Sequence, residues 1–401
     1  MTAVSLVTGG TITLRDPVID TWALTVYNPL DMLKLNPSFV VGEGLFYILA
    51  AVTFIHAYSN RNSETGSPLT QWLGCFLGGS VVEFFTTLHP QIDNAFHSQA
   101  CIMLIDRMVA VYPLVGLYGG LQYISLQLAF SHSTSKSESV GTKVALGLTS
   151  GLIGHVLCEL LDSTGTYFLW WTWHEGDPAY LSRRAGVPLS SGFWLYAQIA
   201  SLGLIYAFTR YRSCIYFILG SVFIMPVLFL LPFITVFHPL DAMYGRGELA
   251  SPLLVAVSAI SFFIFVGKLN KVSMKSTLAL AWFYILLMAV MWVVFHTTAA
   301  TNRRYSYGQA YANRDCRGEM EMIGWGTIER ERYLCPVKID QDVYFNMDCL
   351  HTHPKDDTEW YWTCGIDITT EALNEMIFRF SKAVALLIFL GVGSRSKEKS
   401  E

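Results

Sequence analysis

The feature that most constrains this chain is the recurrence of apolar runs near 20 residues long. A helix crossing a bilayer needs about that length, because the hydrocarbon core is ~30 Å thick and each helical residue rises ~1.5 Å. Nine segments fit: residues 39–58, 70–88, 101–130, 140–161, 188–209, 213–237, 250–267, 276–297 and 373–393. Composition agrees, since only 14% of the 401 residues are charged and 52% are hydrophobic, whereas a soluble domain carries about 25% charged residues. The expected fold class is an all-α polytopic membrane protein with about nine transmembrane helices. Pro113 is expected to kink the third segment. The ninth, "EALNEMIFRFSKAVALLIFLG", is amphipathic at its start, which leaves an interfacial placement open beside a spanning one.

The net charge of -4 offers no basic face, and there is no zinc-finger spacing or phosphate-cradling glycine loop, so nucleic acid is not an expected partner. The lipid bilayer is. Orientation follows from the basic residues of the short loops, which concentrate on the cytoplasmic side. Alternate connections hold Arg61; Lys136 and Lys143; Arg210 and Arg212; Lys268, Lys271 and Lys275; then Arg395, Lys397 and Lys399. The opposite connections hold Arg15, Lys34, Arg183, Arg184 and Arg246, mixed with acids. The N-terminus is therefore expected outside or in a lumen, and the C-terminus in the cytoplasm. Residues 1–38 carry acids and prolines without a continuous apolar core, unlike a cleaved signal peptide or an acid-poor presequence.

The cysteines point to the same sidedness. Cys75, Cys101, Cys158 and Cys214 lie in or beside apolar segments, where a thiol acts as a small apolar side chain. Cys316, Cys335, Cys349 and Cys364 fall together in the polar segment 298–372, which the loop charges place outside, where paired cysteines usually mean disulfides. Two disulfides are expected there. The rival reading, a metal site built on "CLHTH" (Cys349, His351, His353), matches no common zinc spacing. The segment holds 21 of the chain's charged residues and reads as a small, disulfide-stapled, β-rich cap. The expected organisation is an outer segment 1–38, an eight-helix bundle 39–297, the cap 298–372, a ninth helix 373–393 and a cytoplasmic tail 394–401.

Within this apolar frame, the fourth segment carries His155, Glu159 and Asp162 in "GHVLCELLDSTGTY". The i, i+4, i+7 spacing puts them on one helix face. Glu83 and His89 close the second segment, Asp93 and His97 follow it, and His174, Glu175 and Asp177 follow the fourth. His238, Asp241 and His296 occupy further outer ends. An ionisable group at bilayer depth costs several kcal/mol unless it pairs or faces a wet cavity, so such groups are functional candidates. Glu83, His155, Glu159 and Asp162 are the candidate catalytic residues. His89, His97, His155 and His174 are the candidate metal ligands, with zinc or iron as the cofactor such a set would hold. The competing account is that helix-end histidines hydrogen-bond loop carbonyls at the headgroup level. It weighs more for His89, His238 and His296 taken singly than for the deeper set.

Three other features need placing. Asp106 and Arg107 are adjacent in the third segment, point ~100° apart on a helix, and are expected to pair with other helices. Glu43, near the outer end of the first segment, is expected to snorkel to the headgroups. The run "YFLWWTW" reads as an interfacial aromatic belt, with a substrate-stacking platform as the lesser account.

The run "CELLDSTGTYFLWWTWHEGDP…RRAGVPLSSGFW", residues 158–194, resembles the corresponding region of the carotenoid-biosynthesis membrane hydratases and of a eukaryotic multi-pass family of unknown function. What the resemblance implies is acid chemistry on an isoprenoid double bond, with Glu159 and Asp162 as counterparts of the acids. The polar segment 298–372 and the extra helices depart from the hydratase pattern. Two function classes follow from the whole chain: a membrane enzyme acting on a lipid or isoprenoid substrate, or a transporter, channel or receptor-like scaffold whose polar groups line a pathway. Inverted repeats with Gly/Pro-broken helices would favour transport, and the chain's halves show no such similarity.

Overall fold

The computed structural model describes residues 12–13, 17–62, 67–88, 95–97, 100–131, 138–168, 170–173, 183–184, 186–267, 275–295, 304–306, 320–323, 328–331, 359–362 and 370–392. It is mostly helical. After a short α1 (Pro29–Leu35), long helical rods run as α2 (Pro37–Ser59), α3 (Pro68–Leu88), α4 (Pro113–Phe130), α5 (Val140–Tyr167), α6 (Leu189–Thr209), α7 (Cys214–Met243), α8 (Gly247–Val266), α9 (Lys275–Phe295) and α10 (Thr370–Val392). Six of them, α2 and α5 to α9, are long and apolar enough to cross a membrane.

The start of the bundle is set by local chemistry. "NP" occurs twice, at Asn28-Pro29 and Asn36-Pro37, and each asparagine caps a helix whose first residue is the proline: Asn28 accepts from the Leu30 amide at 3.0 Å and Asn36 from that of Phe39 at 3.2 Å. Ser139 does the same for α5, accepting from Thr142 N at 3.1 Å. Inside α5, Thr149, Ser150 and Thr164 donate their hydroxyls to carbonyls four residues back, which satisfies them without a partner helix.

Burial grades outward from a centre. In their most apolar stretches α5 and α6 are 72% and 78% buried, whereas α7 and α8 are 28% and 22% buried. The outer pair exposes Phe223, Val227, Leu231, Phe263 and Ile264, a surface that suits lipid rather than water. At the centre, glycines let backbones touch. A Cβ on Gly151 of α5 would lie 2.9 Å from the Tyr196 carbonyl oxygen of α6, and one on Gly203 would lie 3.0 Å from the Gly147 Cα. This is the small-residue packing that holds helices together where no hydrophobic drive separates them from lipid. The GxxxG spacing of Gly147 and Gly151 carried that signal in the sequence.

The strands fall before α2 and in the connections α3–α4, α5–α6 and α9–α10, which the alternation of successive helical rods assigns to one end of the bundle. Ile12–Thr13 (β1) pairs with Glu359–Trp362 (β13), which pairs with Arg304–Ser306 (β10). Ile19–Asp20 (β2), Leu24–Val26 (β3), Ile102–Leu104 (β5) and Val109–Ala110 (β6) form a four-stranded antiparallel sheet. Phe96–His97 (β4) pairs with Trp171–Thr172 (β7), Arg183–Arg184 (β8) with Val187–Pro188 (β9), and Met320–Ile323 (β11) with Ile328–Glu331 (β12). The N-terminal segment is thus built into the strand-bearing end. The expected disulfide cysteines Cys316, Cys335, Cys349 and Cys364 lie outside the described residues, as do His89, His174, His296, His351 and His353. Cys75, Cys101, Cys158 and Cys214 are free thiols.

Four expectations need correction. The third apolar run is not helical from residue 101: its first ten residues are the β5–β6 hairpin, and Pro113 opens the first π-helical stretch instead of kinking a longer helix. Ile105, Asp106 and Arg107 form the hairpin turn with φ of 49°, 50° and 64°, strained for residues with a Cβ, and Arg107 reaches Asp20 of β2 at 2.9 Å rather than another helix. Glu43 does not snorkel: it is 3% exposed and accepts from Tyr47 Oη at 2.8 Å and the Cys101 amide at 2.9 Å, tying α2 to the hairpin. Burial, and then this carboxylate, push the Cys101 thiol up, so it stays protonated. Finally, the fourth helix does not end at residue 161: α5 runs six residues further, to Tyr167, which leaves His155 about 18 Å below its end.

The central packing is testable. Gly151→Ala should lower the melting temperature of the purified protein, with overpacking costing about 1–3 kcal/mol, because a methyl group there meets a backbone oxygen that cannot move aside. An unchanged melting curve would refute the close α5–α6 contact.

Candidate functional site

The polar groups of the bundle separate into two sets on neighbouring faces of α5. The first surrounds a cavity of about 70 Å³ lined by α2, α3, α4, α5, α6, α7 and strands β4 and β7. Since a water needs ~10–15 Å³ measured this way, it holds several waters or one small functional group. Glu83 enters from α3, five residues before its end. Its carboxylate accepts from Tyr118 Oη at 2.5 Å and lies 3.4 Å from His97 Nε2. His97, on β4, has its other ring nitrogen 2.7 Å from Tyr112 Oη. The result is a chain Tyr112–His97–Glu83–Tyr118 drawn from three separate parts of the sequence.

Local geometry places these side chains. The first turns of α4, Pro113–Gln122, are π-helical, a wide winding frequent at functional sites. Tyr118 lies over Gly79 of α3, where a Cβ would sit 2.2 Å from its ring; only glycine leaves room for that phenol beside Glu83. Gly165 of α5 makes the same room for Trp171. His97 is held edge-on by Tyr112 and Trp171, with ring centroids 5.6 and 5.7 Å away.

On the facing wall, Asp162 of α5 accepts from Ser191 of α6 at 2.7 Å. That bond goes to Oδ2; among the described residues Oδ1 has no hydrogen-bond partner. Ser190 beside it is 1% exposed, and its hydroxyl lacks a partner among the described residues. The remaining wall is apolar and aromatic, with Trp171, Trp173, Trp194, Phe46 and Phe233. Of the three tryptophans of "YFLWWTW", Trp171 and Trp173 are cavity wall, while Trp170 packs inside, against Phe39, Phe46 and Phe168.

The second set is a clamp between α5 and α10. Glu159 meets His155 Nε2 at 3.3 Å and is paired with Lys382. Arg379 donates to the Glu159 carbonyl at 3.1 Å, to Glu375 at 2.9 Å and to Ser163 Oγ. Glu375 also meets Arg184 of β8 at 2.7 Å. His155 Nδ1 lies 3.0 Å from the Gly192 carbonyl. Of the four candidate catalytic residues, then, Glu83 and Asp162 share the cavity, whereas His155 and Glu159 do not line it. The i, i+4, i+7 stripe spans about 60° of arc, enough for its edges to face different neighbours.

Of the candidate metal ligands, His89 and His174 lie outside the described residues, and His97 and His155 belong to different sets. No three His, Cys, Asp or Glu side chains among the described residues converge on one ion position. His238 stacks edge-on against Phe233, at 4.8 Å between centroids, behind the cavity wall. Tyr112, Tyr118, Ser191, Arg379 and Lys382 were not legible as site residues. The phenols sit in an apolar run, Lys382 lies 223 residues from the Glu159 carboxylate it meets, and Arg379 lies 220 residues from the Glu159 carbonyl it reaches.

Fold and site together define a multi-pass helical integral membrane protein with a buried carboxylate–imidazole cavity. The chain belongs to the family described as a domain of unknown function, DUF7802, whose model matches residues 10–392. No curated protein and no solved structure matches it, so the likeness to carotenoid hydratases has no support from a named relative.

The clamp generates a prediction. Lys382→Met leaves Glu159 beside His155 alone and should destabilise the protein by about 1–3 kcal/mol, the cost of a mostly buried carboxylate losing its charged partner. Adding Glu159→Gln should recover part of that loss in a double-mutant cycle of melting temperatures. Additive effects would show that the pair does not couple.

Proposed function

We propose that the protein is a membrane enzyme that carries out acid/base chemistry on a lipid or isoprenoid substrate. The observation that carries this reading is the convergence of Glu83, His97, Tyr118 and Asp162, from four elements, on one cavity whose other walls are aromatic and aliphatic. A carboxylate kept only for structure is best paired off, as Glu159 is by Lys382. Asp162 instead keeps an oxygen toward open space. Two titratable centres facing one another across a cavity suit proton removal at one wall and delivery from the other. Tyr112 fixes the His97 ring, Tyr118 orients Glu83, and Ser191 orients Asp162, so little reorganisation is needed as charge shifts. The alternative of a transporter or receptor-like scaffold has no comparable observation behind it.

The same reading takes α3, α4 and α10 as spans beside the six most apolar helices, nine in all. Its support is packing: α10 touches Arg184 near the strand-bearing end and sets Phe389 against Phe262 and Phe263 at the other, contacts that favour a spanning helix over an interfacial one. The basic loops then put the strand-bearing end outside or in a lumen and the C-terminus in the cytoplasm. Single cysteines at Thr21 and Ser135 test this. A membrane-impermeant maleimide should label Thr21→Cys in sealed cells or outside-out vesicles, and Ser135→Cys only after permeabilisation; the reverse pattern would invert the orientation.

The chemistry is tested by incubating nanodisc-embedded protein with a total lipid extract in D₂O and following the lipids by mass spectrometry. The wild type should yield a new or deuterium-enriched species. Glu83→Gln and Asp162→Asn, which keep size and hydrogen bonding, should lower that rate by about 10²-fold or more with unchanged melting temperature. Absence of any product with the folded wild type, or full activity in both variants, would overturn the enzyme reading.

A further inference from the structure

We propose that the cavity recognises an ammonium group, so that the substrate of the site is an amphiphile with a cationic nitrogen head rather than a neutral isoprenoid. This deepens the reading above and rests on it for the word substrate; the binding itself does not depend on turnover.

The first argument is charge. Glu83 and Asp162 both line the cavity, and among the described residues no lysine or arginine does. Glu83 is engaged by Tyr118 and His97, whereas Asp162 has Ser191 on Oδ2 and no partner on Oδ1 among the described residues. A carboxylate oxygen facing a low-dielectric space is strongly biased toward a cation. The arginine that reaches α5 nearby, Arg379, is committed to Glu375, Ser163 and the Glu159 carbonyl in the clamp.

The second argument is the wall. Trp171, Trp173 and Trp194, with Phe233, present π-systems to the same space. A box of aromatic rings with one acid is how proteins hold alkylammonium ions, because the ring faces are negative and the methyl groups of the ion are apolar. A hydrocarbon chain would need no acid, and a metal ion would need more oxygen or nitrogen donors. The third argument is polar supply: the Ser190 hydroxyl, buried without a partner among the described residues in the same wall, gives an acceptor to the hydroxyl of a choline-like head, whose quaternary nitrogen carries no N–H.

The fourth argument is depth. Glu83 lies five residues from the end of α3 and Asp162 five from the end of α5, about 7.5 Å below those ends. Ser190 and Ser191 belong to the first turn of α6 and Pro113 opens α4. With 28 residues, α5 is about 42 Å long, some 12 Å more than the hydrocarbon core. The cavity therefore lies within about two helical turns of the strand-bearing end, nearer the depth at which a lipid nitrogen travels than that of the middle of an isoprenoid chain.

The test is a titration of tryptophan fluorescence in wild-type protein held in a maltoside detergent. Choline is compared with 3,3-dimethylbutan-1-ol, which has the same shape but carbon in place of the charged nitrogen. Saturable quenching by choline, at least about tenfold tighter than by the neutral alcohol, is expected. Asp162→Asn should weaken choline about tenfold without altering the alcohol, and both effects should be read on protein with a wild-type melting curve. A short-chain phosphatidylcholine below its micellar concentration distinguishes sources: tighter binding than choline names a lipid headgroup, and weaker binding a free amine. Equal affinity for choline and its neutral isostere, or no saturable response to any of the three, overturns the proposal. If the lipid assay in D₂O yields a product while choline is not preferred, the enzyme reading stands and this inference fails. If choline is preferred and no product forms, the ammonium site stands and the enzyme reading fails.

Discussion

The close approach of α5 and α6 is the contact on which the site depends. Glycines 147, 151, 154 and 203 remove the side chains that would hold the two backbones apart, and in a membrane such packing supplies the association that hydrophobicity does not. Two polar contacts cross this seam: Ser191 to Asp162 at 2.7 Å, and His155 to the Gly192 carbonyl at 3.0 Å. Gly192 is itself under the His155 ring, with a Cβ position 3.0 Å from Cε1. A helix pair one methyl group further apart would lengthen both contacts beyond hydrogen-bond range and leave Asp162 without its orienting hydroxyl.

Around that seam, the same physical cost is met in two ways. A carboxylate in a bilayer must be paired or hydrated. Glu159 is paired: Lys382 and His155 flank it, and the clamp continues through Arg379 and Glu375 to Arg184, fastening the last helix and a strand to the centre of the bundle. Glu83 and Asp162 are instead placed on a cavity, supported by phenols and a serine rather than by lysine or arginine. The distinction between structural and chemical acids here rests on what faces them, and both kinds occur within one turn of α5. The strand-bearing end then matters to the site directly, since His97 and Trp171 reach the cavity on paired strands β4 and β7.

The length and spacing of the apolar runs, the Asn-Pro caps and the glycine spacing of α5 are local properties, and they determined the helical membrane architecture by themselves: a run of 20 apolar residues has few other stable outlets. The location of polar groups near one end was equally legible from loop order. Boundaries were less so where an apolar run contained a β-hairpin, because residues 101–110 are as hydrophobic as a helix and only the left-handed turn at Ile105–Arg107, invisible to composition, breaks the rod.

Tertiary structure decided which acids share a space. The stripe His155, Glu159, Asp162 is one face on a helical projection, yet its edges look at different neighbours, and no local rule says that α10 returns more than 200 residues later to cover one of them with Lys382. The phenols of Tyr112 and Tyr118 and the Asp162 oxygen that faces the cavity are likewise products of packing. Local sequence determines what a side chain can do at its own position along a helix; which partner lies across a gap of about 3 Å is set by how helices distant in the chain come together.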